Sequence, residues 1–110
     1  MILHITNKLT WEQSQKVGKY EGDTLSSEGF IHCSTEEQLI EVANFIFKSQ
    51  HNLVLLVIDQ DKVKAEIKYE DAGNKKLYPH IYGPLNLDAV VNVVDFSPNE
   101  DGAFTLPEKF

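Results

Sequence analysis

Residues 28–35 read Glu28-Gly29-Phe30-Ile31-His32-Cys33-Ser34-Thr35, and the fold turns on how that stretch divides. Phe30 to Cys33 is apolar and β-prone apart from one imidazole, which predicts a short strand. Ser34-Thr35-Glu36-Glu37-Gln38 then predicts a helix start. Ser34 has Glu37 three residues on and Thr35 has Gln38, so either hydroxyl can build a capping box. A strand-borne histidine running into a helix N-terminus sets a titratable side chain beside unpaired backbone N–H groups. That combination suits an anionic or polar ligand.

Downstream of this junction, Leu39, Val42, Ala43 and Ile46 fall at the spacing of an amphipathic helix, predicted from about Glu36 to Lys48. Leu53-Val54-Leu55-Leu56-Val57-Ile58 is a near-continuous apolar run of strand length, which predicts a central strand covered on both faces. Glu66 to Glu70 alternates like a half-buried strand, and Asp71 to Lys75 is a turn. Leu77 to Tyr82 is a further strand, and Pro79 inside it predicts an edge or irregular strand and not a regular central one. Val90 to Phe96 is the last clear strand. Residues 97–110, with Pro98, Pro107 and three acidic side chains, read as a loosely ordered tail.

Upstream, Ile2 to Thr6 alternates as a strand with Ile2, His4 and Thr6 on one face and Leu3 and Ile5 on the other. Thr10-Trp11-Glu12-Gln13 reads as a capping box opening a short helix to about Val17, with Gly18 as its stop. Tyr20 to Gly29 is polar and glycine-containing, a loop of the kind that often carries ligand contacts. Helices early and strands late give an α+β domain over residues 1–96.

Composition narrows the function classes. The chain has 110 residues, 42% of them hydrophobic, enough for one core without staples. The single cysteine, Cys33, rules out an internal disulfide. No apolar run approaches the ~20 residues that span a bilayer, and the N-terminus lacks a signal-peptide pattern, so a cytoplasmic location is expected. The net charge is −7, and all ten basic residues are lysine. That balance argues against a nucleic-acid partner and removes the usual bidentate phosphate clamp of arginine.

Three histidines share one setting: His4-Ile5-Thr6, His32-Cys33-Ser34 and His80-Ile81-Tyr82 each place a hydroxyl two residues beyond an imidazole. On a strand that spacing puts both on the same face. A single histidine in an apolar strand is usually a hydrogen-bonded core residue, whereas three such pairs in one small domain predict a polar cleft. Zinc is a minor option, because no local His-x-His or His-x-x-x-His pair is present; no metal is expected. The twin motifs His4/Thr6 and His32/Ser34 also allow acid–base opening of a 2′,3′-cyclic phosphate. Asp23 can line the cleft from its loop, and Glu70, at a strand end, is either a solvated cap or a partner for a ribose hydroxyl. Trp11, Phe30, Phe45 and Phe47 are expected in the core, as is Cys33.

The blocks Met1 to Thr6, Tyr20 to Thr35, Tyr69-Glu70-Asp71 and Pro79-His80-Ile81-Tyr82-Gly83-Pro84-Leu85 resemble a small, mainly bacterial family, the domain of unknown function nine-fifty-two. The resemblance runs from the first residue to about Phe96. It implies an ADP-ribosyltransferase-like fold, with two small facing β-sheets, two helices in the N-terminal half, and a nicotinamide-dinucleotide cleft between the sheets. On that implication NAD or a related nucleotide is the ligand, and attack falls on C1′ of the nicotinamide ribose. His4 occupies the first-strand place that contacts a ribose, and Thr6 joins it there. Ser34, with Thr35 and the helix start, faces the diphosphate or the nicotinamide amide, and Tyr82 follows on the later strand. His32 and His80 act as acid–base or orienting groups. His80, with Glu70 as the nearest strand-borne carboxylate, stands where the protein-modifying branch has glutamate. A non-catalytic binding module on the same fold is the alternative.

Overall fold

The computed structural model describes residues 1–110 apart from Asp23, Ala72 and Lys109. Its elements are β1 (Ile2–Asn7), α1 (Lys8–Val17), β2 (Lys19–Tyr20), α2 (Leu25–Glu28), β3 (Ile31–His32), α3 (Leu39–Ile46), β4 (Leu53–Ile58), β5 (Glu66–Asp71), β6 (Leu77–Tyr82), β7 (Leu85–Asn86) and β8 (Val90–Phe96). They form an α+β fold of three small antiparallel sheets, ordered β1-β4-β8, β2-β7 and β3-β6-β5. The two-stranded sheet β2-β7 and the helix α2 both depart from the expectation of two sheets and two helices. Both arise in the polar stretch 19–28, where two residues pair with β7 and four make a single helical turn. Elements that short leave no periodic signal.

β4 is the centre of the fold. All six of its residues are buried, and it lies between β1 and β8, as its unbroken apolar run predicts. Its alternate side chains divide the interior in two. Val54, Leu56 and Ile58 join Ile2, Trp11, Tyr20, Ile31 and Ile81 in one cluster. Leu53, Leu55 and Val57 join Leu3, Ile5, Leu39, Ala43, Phe96 and Phe104 in the other. Each fully buried Leu or Ile contributes about 1.5–3 kcal/mol of transfer free energy. The period-2 split of β1 follows the sequence pattern, with Ile2 facing the first cluster and Leu3 and Ile5 the second.

Local chemistry sets the element boundaries. β1 runs directly into α1, so the cap is Asn7, whose Oδ1 accepts from Leu9 N at 2.9 Å, and not Thr10 as its capping-box pattern suggests. Gly18 ends α1 with φ 95°, as expected of a glycine stop. α3 is shorter than its amphipathic pattern. Residues 35–38 form a turn first, in which the Thr35 N–H donates to the Gln38 side chain at 3.1 Å. That contact is half of the anticipated capping box, displaced outside the helix.

β6 is a central strand despite Pro79, not the edge strand that a proline predicts. The Pro79 carbonyl accepts from Cys33 N at 3.0 Å, so this residue directs its backbone groups toward β3 and away from β5. Its missing N–H falls where the two-residue β3 has ended, and the ladder to β5 keeps its register from Glu66↔Tyr82 to Asp71↔Leu77. After β8 the described residues form no regular element, yet Phe104 is buried against Phe96, their rings stacked at 4.7 Å.

Candidate functional site

β1 and the end of β3 meet at one point. Leu3 and Ser34 exchange two backbone hydrogen bonds of 2.8 Å, which ties the first sheet to the third. Along this seam, with α3 and the β5–β6 turn as its other walls, runs a cleft of about 860 Å³. His4, His32 and His80, carried by three different strands, all line it, as do the hydroxyls of Thr6 and Ser34. Val42, Phe45 and Tyr78 supply apolar and aromatic surface.

His4 sits on the buried face of β1. Its Nδ1 donates to the His32 carbonyl at 2.5 Å, which leaves Nε2, in the neutral ring, as an acceptor. The Tyr20 hydroxyl lies 2.6 Å from that Nε2 and 2.8 Å from Thr6 Oγ1. A hydroxyl has one proton, so Tyr20 donates to one neighbour and accepts from the other. His4 is thereby held rigidly with both ring nitrogens engaged, which suits an orienting role better than proton transfer.

His32 and His80 face each other directly across β3 and β6, with ring centroids 5.1 Å apart. Their environments differ. The His32 ring is about half exposed, and its Nε2 meets Glu28 Oε2 at 3.0 Å. His80 is only 5% exposed, and Phe30 stacks on its ring at 4.2 Å. His80 Nδ1 donates to Glu70 Oε1 at 3.0 Å, and the Tyr82 hydroxyl donates to the same oxygen. Those two hydrogen bonds, Tyr82 first, hold the Glu70 carboxyl below the usual carboxylate range, and the bond to Glu70 raises the Tyr82 hydroxyl. His80 Nε2 is buried and has no hydrogen-bond partner among the described residues.

Of the residues singled out in the sequence, His4, Thr6, His32, Ser34 and His80 line the cleft. Glu70, Tyr82 and Thr35 do not. Glu70 and Tyr82 are engaged with each other and with His80, and the Thr35 N–H is taken by Gln38. Asp23 lies outside the described residues. Tyr20, Phe30 and Phe45 escaped the sequence reading as site residues. Tyr20 is a lone aromatic in a polar stretch, a usable signal, since a large ring there needs a reason to be buried. Phe45, expected in the core, is 88% exposed beside the cleft. Cys33 is buried as expected, and burial pushes its thiol well above the ordinary range. No group of three or more metal-ligating side chains occurs among the described residues. No helix among them is long and apolar enough to cross a membrane.

Fold and site together define a small α+β domain with a cleft lined by three histidines at a sheet seam. The chain belongs to the family described as protein of unknown function (DUF952), whose profile matches residues 5–93. It is similar to protein CC0527 from Caulobacter crescentus. The crystal structure of that protein superposes with a TM-score of 0.88 at 31% identity, over 96% of this chain and 93% of the other. The solution structure of CC0527 gives 0.83 at 32% identity, over 96% and 91%. No curated protein matches the sequence.

Proposed function

We propose that this chain is a small-molecule binding domain whose cleft receives the nicotinamide-ribose part of NAD or of a related nucleoside. The observation that carries the reading is the convergence of His4, His32 and His80 on one cleft, beside the Thr6 and Ser34 hydroxyls. Ribose hydroxyls both donate and accept, as do hydroxyls and neutral imidazoles; Ser34 and His32 are the groups to meet them, while His4, held at both ring nitrogens, orients the wall they stand on. An aromatic base gains from ring contacts of the kind Phe45 and Tyr78 offer. No lysine lines the cleft among the described residues, so on this reading the diphosphate of NAD lies at the solvent-facing mouth.

Binding is favoured over ADP-ribosyl transfer for a specific reason. A developing oxocarbenium ion at C1′ calls for a nearby negative charge. Glu41 is the one carboxylate lining the cleft among the described residues, and it is paired with Lys76 at 2.9 Å. The test is thermal denaturation with NAD, nicotinamide riboside and ADP-ribose. Saturation at 100 times Kd raises stability by about 2.7 kcal/mol, and His4→Ala abolishes the shift. An unchanged melting curve at millimolar concentrations of all three refutes the reading. Nicotinamide release over hours replaces binding with transfer.

A further inference from the structure

His80 Nε2 is the one buried side-chain nitrogen or oxygen without a hydrogen-bond partner among the described residues. It belongs to a ring that is 5% exposed and lines the cleft. A polar atom buried without a partner is destabilising, and native structures rarely keep one without a reason. Three contacts hold this ring in place. Phe30 stacks on one face, the His32 ring meets it at a steep angle, and Nδ1 is held by Glu70. None of them satisfies Nε2.

From this we infer that His80 reads the ligand as an obligate hydrogen-bond acceptor for an N–H or O–H group, with Glu70 and Tyr82 as its positioning residues. A carboxylate accepts only, so Nδ1 must carry the proton that faces Glu70. In the neutral ring Nε2 is then bare. Tyr82 donates to the same Glu70 oxygen and so helps to fix the carboxylate. The lysine nearest this arrangement, Lys68, stands opposite His80 in register and lies over the Tyr82 ring at 4.8 Å. The ligand class follows. At this point of the cleft it presents a primary amide, an amine or a hydroxyl, and a carboxylate or carbonyl oxygen meets lone-pair repulsion. The inference shares the cleft with the proposed function and narrows the chemistry its ligand must carry, but its test needs no nucleotide.

Ring-nitrogen NMR of the full chain at pH 8 reads the proton position directly. The expected result is a proton on His80 Nδ1 and an Nε2 resonance in the unprotonated range. Glu70→Ala shifts the majority of the proton to Nε2. Glu70→Gln, which keeps an acceptor oxygen, preserves the wild-type tautomer, a rescue that a merely structural role for Glu70 does not produce. Acetamide, a donor, moves the Nε2 resonance in a titration, and acetate leaves it in place. A proton on Nε2 in the wild type, a tautomer ratio indifferent to Glu70→Ala, or equal responses to acetamide and acetate each overturn the inference. Failure of NAD to bind, with these results intact, removes only the nucleoside reading. If Glu70→Ala does not fold, Tyr82→Phe and the two titrations still decide.

Discussion

Phe104→Ala tests the claim that the chain beyond β8 is part of the fold. Phe104 is 2% exposed, its ring stacks on Phe96 at 4.7 Å and 21°, and it packs in the cluster of Leu39, Ala43 and Leu55. Truncating a buried phenylalanine to alanine costs about 3–5 kcal/mol, transfer and cavity terms together. Against the ~5–15 kcal/mol total of an ordinary domain this is a large fraction, and it lowers Tm by roughly 15–30 °C. The backbone clamp survives the substitution, because Asn44 Oδ1 accepts from Phe104 N at 2.6 Å whatever the side chain. The loss therefore reports packing alone. Urea denaturation measures it, with Leu106→Ala as the control; that residue is 46% exposed and its truncation changes stability by less than ~0.5 kcal/mol. The consequence reaches the site, since α3 stands on this cluster through Leu39 and Ala43 and presents Val42 and Phe45 to the cleft. A loss under ~1 kcal/mol for Phe104→Ala would refute the reasoning, since no core phenylalanine is that cheap to remove.

Glu70→Gln changes how stability depends on acid. The folded carboxyl titrates below its unfolded value, so its contribution is present above the unfolded pKa of ~4.3 and is lost as pH falls through the folded value. The wild type is therefore more stable than the variant at pH 7, and urea midpoints converge once the pH has fallen below the folded value. Gly102→Ala is destabilising by more than ~1 kcal/mol, since φ is +84° and a Cβ would lie 2.2 Å from Ser49 Oγ; the Ser49→Gly double variant relieves the clash but not the backbone strain, so thermal melting shows partial recovery only. Cys33 resists iodoacetamide in the native state and reacts on unfolding, because its thiol is buried and held protonated; fast native labelling contradicts this.

Long elements with a period were legible in the sequence, and short ones were not. β1, β4, β6 and β8 carry alternating or unbroken apolar patterns, and their positions follow the reading closely. α2 is a single four-residue turn, and β2 and β7 are two residues each, held by pairing with one another far along the chain. Nothing local in their composition encodes that partner. The Thr10 cap failed because β1 leaves no loop before α1, a fact about neighbouring elements. Pro79 misled because edge placement is only one way to hide a missing donor; a two-residue partner strand is another. The three histidines were legible as candidates through their His-x-hydroxyl spacing. Their hydrogen-bond partners were not, since Tyr20 and Glu70 lie 16 and 10 residues away from His4 and His80.

The register of β3 against β6 explains why two of the histidines can differ so much while standing opposite each other. Like charges directly across an antiparallel pair are destabilising, so two protonated rings 5.1 Å apart would oppose the pairing of His32 with His80. Each ring has its own carboxylate, Glu28 for His32 and Glu70 for His80. The exposed pair is open to water and salt, and its interaction is screened. The inner pair is roofed by Phe30 on the His80 ring and held by the Tyr82 hydroxyl on Glu70, an arrangement that favours one proton position. Had β3 continued as long as β6, further strand residues would have covered β6 beside His80 and the seam with β1 would have zipped shut. It stops at His32, the backbone crosses to Leu3 at Ser34, and the cleft is the space that this early stop leaves open.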